Sequence, residues 1–249
     1  LEVEKQAMPT FKFTSVPSDV WIESNQQFVD TYAELGQISG QLKNASSEQV
    51  QSTLFDFGPY TEAKQMLDNG SIKTPPVYSG TIGFGYLPSD HDAPMFVVAK
   101  DWQYFNDHYG VTLKPKDPSA VKPTEFDLIV NNQKVADVRA VEGQGGAGLM
   151  TAMAQDAIQF SYSGTPPAIL AIDKGAPIKI LSPIHTEGSA LVVGTDAPAN
   201  DWNSFVQWAK QRSDAGKPLR IATGQGSIQD VILRAALHDA GINVKLVQT

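Results

Sequence analysis

Apolar positions along this chain change their spacing near residue 77, and that change divides it. Over Asp19–Leu35 the apolar residues Val20, Trp21, Phe28, Val29, Tyr32 and Leu35 recur near a 3.6-residue period, which predicts an amphipathic helix. Ser46 followed by Gln49 has the form of a capping box opening a helix over Glu48–Leu54. Pro59 suits a first helical turn, and Asn69–Gly70 supplies a stop. Residues 1–76 thus form a helical segment expected to pack on the α/β lobe that begins at residue 77. Lys73–Ser79 (KTPPVYS) is a linker, because Pro75–Pro76 continue neither a helix nor a central strand.

From Gly80 the pattern becomes that of an α/β protein. GTIGFGYL (80–87) alternates bulk as a strand does, and Pro94–Tyr109 is helical with Met95, Val98, Trp102 and Phe105 on its apolar positions. Val111–Glu125, with Pro115, Pro118 and Pro123, reads as an irregular excursion. Phe126–Val130 and Lys134–Val141 predict a hairpin around Asn131–Asn132, whose side chains tolerate tight turns. Next come helix Gly146–Gln155, strand Ala157–Tyr162, helix Pro166–Lys174, and strands Pro177–Ser182 and Ser189–Val193. Helix Asp201–Ser213, strand Leu219–Ala222, helix Ile228–Ala240 and strand Asn243–Gln248 complete the chain. This alternation predicts two lobes with mainly parallel sheets: a first α/β lobe over 77–195 and the start of a second over 196–249. Thr195–Asn200 (TDAPAN) is the expected crossing between them.

Composition narrows the chemistry. The 249 residues carry a net charge of −8, which disfavours nucleic acid as a partner, and no apolar run is long enough to insert into a membrane. Cys is absent, so disulfides, thiolate nucleophiles and Cys-ligated metals are excluded. EGQGGAG (142–148) lacks the Lys-Ser/Thr of a phosphate loop, and no Ser lies in a G-x-S-x-G elbow. No cofactor is expected.

Four strand-to-helix turns remain as candidate ligand contacts, because small residues admit a ligand to the backbone and unpaired helix N–H groups face it. They are Leu87–Pro94, offering Ser89, Asp90 and His91; Glu142–Gly148, offering Gln144 and Gly145; Ser161–Pro167, offering Ser163, Gly164 and Thr165; and Ala222–Ser227, offering Gly224, Gln225, Gly226 and Ser227. His185 and Thr186, at another strand end, would complete the wall. Each turn has a plain alternative as a tight connection with a capping residue. Asp90-His91-Asp92 with His185 has the donors for a metal, against a reading in which Asp90 caps the helix and Asp92 favours its positive end; the latter is preferred and no metal is assigned. His108 and His238 are expected at the surface, and Trp102, Trp202, Trp208, Met150 and Met153 in packing roles.

The stretch AGLMTAMAQDAIQFSYSGTPPAILAIDKGAPIKIL, followed by DWNSFVQWAKQRSDAGKPLRIATGQGSIQDVILRAALHDAGINV, resembles the periplasmic binding proteins of the nitrate/sulfonate/taurine (NMT1-like) type over about residues 80–249. That resemblance implies a type II periplasmic binding protein-like fold with two hinged lobes. It also implies a small-molecule ligand held between the lobes, a membrane ABC permease as partner, and a periplasmic or extracellular location, with any membrane anchor in a segment outside these residues. The family's further units of the second lobe do not follow Thr249, and PSDVWIESNQQFVDTYAEL with FDFGPYTEA resembles the family's closing helical tail placed first. An incomplete second lobe, a junction of tandem modules or a permuted order would each produce that arrangement. Nitrate, a sulfonate, bicarbonate, a thiamine precursor and a peptide-like zwitterion all fit as ligands. An enzyme related to the pyrimidine-precursor synthases is the alternative, although the Cys-rich motif of those enzymes is missing; a ligand-sensing module is another.

Overall fold

The computed structural model describes residues 5–6, 9, 12–186 and 189–247. They fall into two compact units, Leu1–Glu187 and Gly188–Thr249, each with its own core.

In the first unit, a short strand β1 (Lys12–Phe13) precedes helices α1 (Asp19–Glu34), α2 (Ser47–Leu54) and α3 (Gly58–Asp68). Their ends obey the expected chemistry. The Ser46 hydroxyl accepts from the Gln49 N–H while the Gln49 side chain accepts from the Ser46 N–H, and Gly70 closes α3 in the left-handed conformation. After the linker come β2 (Thr81–Tyr86), a 3-10 turn (Asp90–Asp92), α4 (Ala93–Lys100), α5 (Trp102–Tyr109), β3 (Val111–Pro115), β4 (Glu125–Val130) and β5 (Gln133–Glu142). The unit continues through α6 (Gly146–Ala154), β6 (Phe160–Ser161), α7 (Thr165–Asp173) and β7 (His185–Thr186), which pairs antiparallel with β1.

The five-stranded sheet has the order β3-β4-β5-β2-β6. β5, β2 and β6 are parallel, so their carboxyl ends share one edge; the pairs β3–β4 and β4–β5 are antiparallel. The sheet is therefore mixed rather than mainly parallel, a mixed α/β arrangement that fits a binding-protein-like fold. Asn131 and Asn132, both with positive φ, turn the β4–β5 hairpin as predicted. On β2 the alternation of bulk separates two faces. Ile82, Phe84 and Tyr86 join Met95, Ala99, Phe126 and Val138 in the core, whereas Gly83 and Gly85 let the other side close down. A Cβ on Gly85 would lie 2.6 Å from the Ile158 side chain and 2.8 Å from that of Leu149 on α6.

One buried carboxylate joins the N-terminal helices to the rest of this unit. Asp173, at the end of α7, accepts from the N–H groups of Ser39, Gly40 and Leu42 in the loop between α1 and α2, and its own carbonyl accepts from Gln41. Three amide donors on one carboxylate offset the desolvation of a charge that has almost no exposure.

Several sequence expectations are corrected. The helix expected over Pro94–Tyr109 is two helices, broken at Asp101 (φ −111°, ψ 42°). Val111–Pro115 is an edge strand; at an edge the missing N–H of Pro115 need cost no ladder bond. Pro177–Ser182 makes only a single parallel bridge, Ile180 to Phe55. In the second unit, helices α8 (Trp202–Asp214) and α9 (Ile228–Asp239) pack through Phe205, Leu237 and Ala199, joined by Trp208, Leu219, Leu233 and Ile242. Among its described residues there is no strand: 189–193, 219–222 and 243–247 are unpaired, and Gln248 lies outside the described residues. Alternation of apolar residues makes a strand only where a ladder partner exists, and here Val192 (85% exposed) and Val247 (72%) face solvent. Trp202 is 38% exposed and stacks on Phe205.

Candidate functional site

Three of the four predicted turns leave the carboxyl ends of β2, β5 and β6, so topology alone sets them side by side. In the first, after Tyr86, the chain folds on itself: the Ser89 N–H donates to the Leu87 carbonyl and the Asp92 N–H to that of Ser89. Asp90 does not cap α4. Asp92 holds the N-cap position, yet its carboxylate turns back to accept from the Leu87 N–H at 2.5 Å. Only 4% of Asp92 is exposed, and burial pushes its carboxyl up to about 6, against the pull of that backbone bond.

His91, from the same turn, stacks on His185 of β7 with ring centroids 4.1 Å apart and planes 23° from parallel. His185, from a distant strand end, thus comes against the first turn, and Thr186 is paired opposite Lys12. Burial, and then the neighbouring His91, lower the His185 ring to about 4; burial also lowers His91, with the Asp90 charge opposing. Both imidazoles are therefore neutral near pH 7. The His185 Nδ1 is buried with no hydrogen-bond partner. Among the described residues no group of three or more His, Asp or Glu side chains is placed to hold a metal ion.

The second turn begins with Gly143, whose N–H donates to the Tyr86 carbonyl; a Cβ there would lie 2.6 Å from Leu149. Gly145 takes the N-cap position of α6 without a side-chain cap, and a Cβ on Gly145 or Gly148 would meet open space. Gln144 is exposed. The second and third turns touch: a Cβ on Gly146 would sit 2.8 Å from the Ser163 Oγ and 2.7 Å from Pro167. The Ser163 Oγ is buried and unpartnered, a polar atom of a kind that a bound polar group or water ordinarily satisfies. Gly164 is the N-cap of α7, but Pro166 and Pro167 come directly after Thr165 in the first turn and carry no N–H. The donors at that helix start are accordingly fewer than its position suggests.

The fourth turn lies in the second unit. Gly224 and Gln225 are exposed, while the Gly226 N–H donates to Asp230 Oδ2, the Ser227 N–H to the Gly224 carbonyl, and the Ser227 hydroxyl caps α9 by accepting from Asp230. Asp230 is also paired with the buried Arg234 at 2.9 Å. These small residues close a capped helix start, and the Gly226 and Ser227 amides are engaged within it.

Sequence reasoning missed four residues at the shared edge of the first unit. Tyr162 lies between the two serines of the third turn, edge-on to Phe84, and burial together with the Asp92 charge raises its hydroxyl's pKa. Glu142, the last residue of β5, accepts from the Tyr86 hydroxyl at 3.1 Å and is ion-paired with Lys122, whose ammonium lies 5.3 Å over the Tyr86 ring. Lys122 comes from the proline-bearing loop 116–124, with no local pattern to mark it; the turns themselves contain no Lys or Arg. His108 and His238 are exposed and Met150 is buried, as expected.

No helix among the described residues is long and apolar enough to cross a membrane. No solved structure matches the chain. A protein of Methanocaldococcus jannaschii described as uncharacterized is 39% identical over 109 residues, covering 43% of this chain and 72% of that protein. The NMT1-like family model matches residues 75–249, which include every candidate turn. By that match, spanning well over half its length, the chain belongs to the NMT1-like family.

Proposed function

We propose that this chain is an extracytoplasmic solute-binding protein that captures a small polar or anionic molecule and delivers it to a membrane ABC transporter, with no catalytic step. Membership of the NMT1-like family supports a periplasmic-binding-like protein. The observation that carries the ligand-binding reading is the shared edge of β5, β2 and β6, from which three turns leave and which carries two separate buried polar atoms without partners: Ser163 Oγ in the third turn, and His185 Nδ1 on the ring that stacks against His91 of the first. A ligand hydrogen-bonded to these atoms would recover the desolvation that the ligand-free site leaves uncompensated. In the proposed cycle the ligand binds a closed form more tightly than an open one, so its differential affinity shifts that equilibrium.

A thermal-shift screen of small polar solutes tests this. A solute present at 100 times its Kd adds about 2.7 kcal/mol to the stability of the state that binds it and raises Tm by several degrees. The hit should weaken on Ser163→Val with the fold intact by circular dichroism. A folded protein that no solute stabilises, or a hit indifferent to Ser163→Val, would count against the site.

A further inference from the structure

We infer that Lys122 and Glu142 form an exchangeable ion pair through which the site selects a ligand carrying a negatively charged group; this rests on the solute-binding reading above. Glu142 ends β5 and leads directly into Gly143–Gly145, and Tyr86, its partner in the parallel ladder, leads into Leu87–Asp92. The pair therefore stands where two of the candidate turns begin. Both side chains are substantially exposed, at 50% and 39%, and an exposed pair of this kind is worth only about 0–1 kcal/mol. An incoming anion that takes the place of the Glu142 carboxylate thus loses little. The cation is nonetheless held ready, since Lys122 lies over the Tyr86 ring and Tyr86 donates its hydroxyl to Glu142.

Charge selection falls to this pair because the rest of the wall is not cationic. The turns have no Lys or Arg, His91 and His185 are stacked and neutral, and Asp92 and Tyr162 are acidic groups. The start of α6, with no side chain capping it, lies four residues beyond Glu142 and favours the same sign of ligand charge. In the ligand-free protein Glu142 occupies the place of that charge, and a solute without one leaves the Lys122–Glu142 pair intact and gains nothing from Lys122.

The experiment is titration calorimetry on the full chain with charged solutes and their uncharged counterparts: methanesulfonate against dimethyl sulfone, acetate against acetamide, together with taurine and nitrate. The expected result is binding of at least one anion in preference to its neutral twin, weakened about tenfold by Lys122→Met, largely retained by Lys122→Arg, and tightened several-fold by Glu142→Gln, which removes the internal competitor. Tightening is the outcome a merely structural ion pair would not produce. If a neutral twin binds as well as its anion, if Lys122→Met leaves affinity unchanged, or if Glu142→Gln weakens binding as Lys122→Met does, the exchange is refuted while solute binding stands. If no member of either set binds the folded protein, both readings fall.

Discussion

Replacing Asp92 with Asn removes a charge that the fold holds in an unfavourable place while keeping the shape and the hydrogen bond. The Asn oxygen can still accept from the Leu87 N–H, so the turn after β2 should survive. The carboxyl moves from 3.8 to about 6 on folding, mainly through burial. At about 1.4 kcal/mol per pH unit this amounts to roughly 3 kcal/mol of penalty on the ionised form, and allowing for residual solvent screening leaves ~2 kcal/mol. Because the folded value lies above the unfolded one, the native state binds more protons between pH 4 and 6, and this contribution to stability falls as pH rises through that window. The Asn variant should therefore exceed the wild type by ~2 kcal/mol at pH 7, an upward shift of the urea midpoint of roughly 0.7–1 M, and by little near pH 4. Fluorescence of Trp21 and Trp102, in a background with Trp202 and Trp208 replaced by Phe, reports on the first unit alone. An Asn variant less stable than wild type at pH 7, or a difference that stays constant from pH 4 to 7, would refute the reasoning.

His185 should show the opposite slope. Its folded value is lowered from 6.5 to about 4, so its contribution is present above pH 6.5 and lost as pH falls toward 4; for this half-exposed ring, His185→Gln should flatten the acid side of the stability profile by ~1 kcal/mol, measured with the same urea series, and an unchanged acid limb would contradict the burial argument. Gly40→Ala should destabilise the first unit by at least about 3 kcal/mol, since its Cβ would lie 1.8 Å from the Asp173 carbonyl oxygen; a urea midpoint equal to wild type would show that the loop has room that the packing denies.

What the sequence made legible was what neighbouring residues decide together. The capping box at Ser46 and Gln49, the turn at Asn131–Asn132 and the split faces of β2 are all local chemistry, and each is found at its predicted place. The break at Asp101 has no glycine or proline to announce it, and the strand Val111–Pro115 is hidden by prolines that an edge position tolerates. At the site, the small residues of the turns were visible, but the fate of their amides was not. Whether Gly226 donates to a ligand or to Asp230 depends on one carboxylate four residues on, and two prolines subtract donors from the start of α7. Lys122 was out of reach for a different reason: it meets Glu142 from twenty residues away through a loop without regular structure. Likewise, His91 and His185 are ninety-odd residues apart, and their adjacency is a product of topology.

The Asp173 clasp bears on where this protein can be cut. The family match begins at residue 75, yet the donors that hold Asp173 come from Ser39, Gly40 and Leu42, well upstream of it. A version trimmed to the matched portion would keep a carboxylate at the foot of α7 and discard all three of these partners, and the head of that same helix carries Gly164 and Thr165 of the third candidate turn. The loop from Ser39 to Leu42 is thus a foundation for α7 rather than a dispensable extension, and a shortened protein that fails to bind a solute would say nothing about the candidate turn residues themselves.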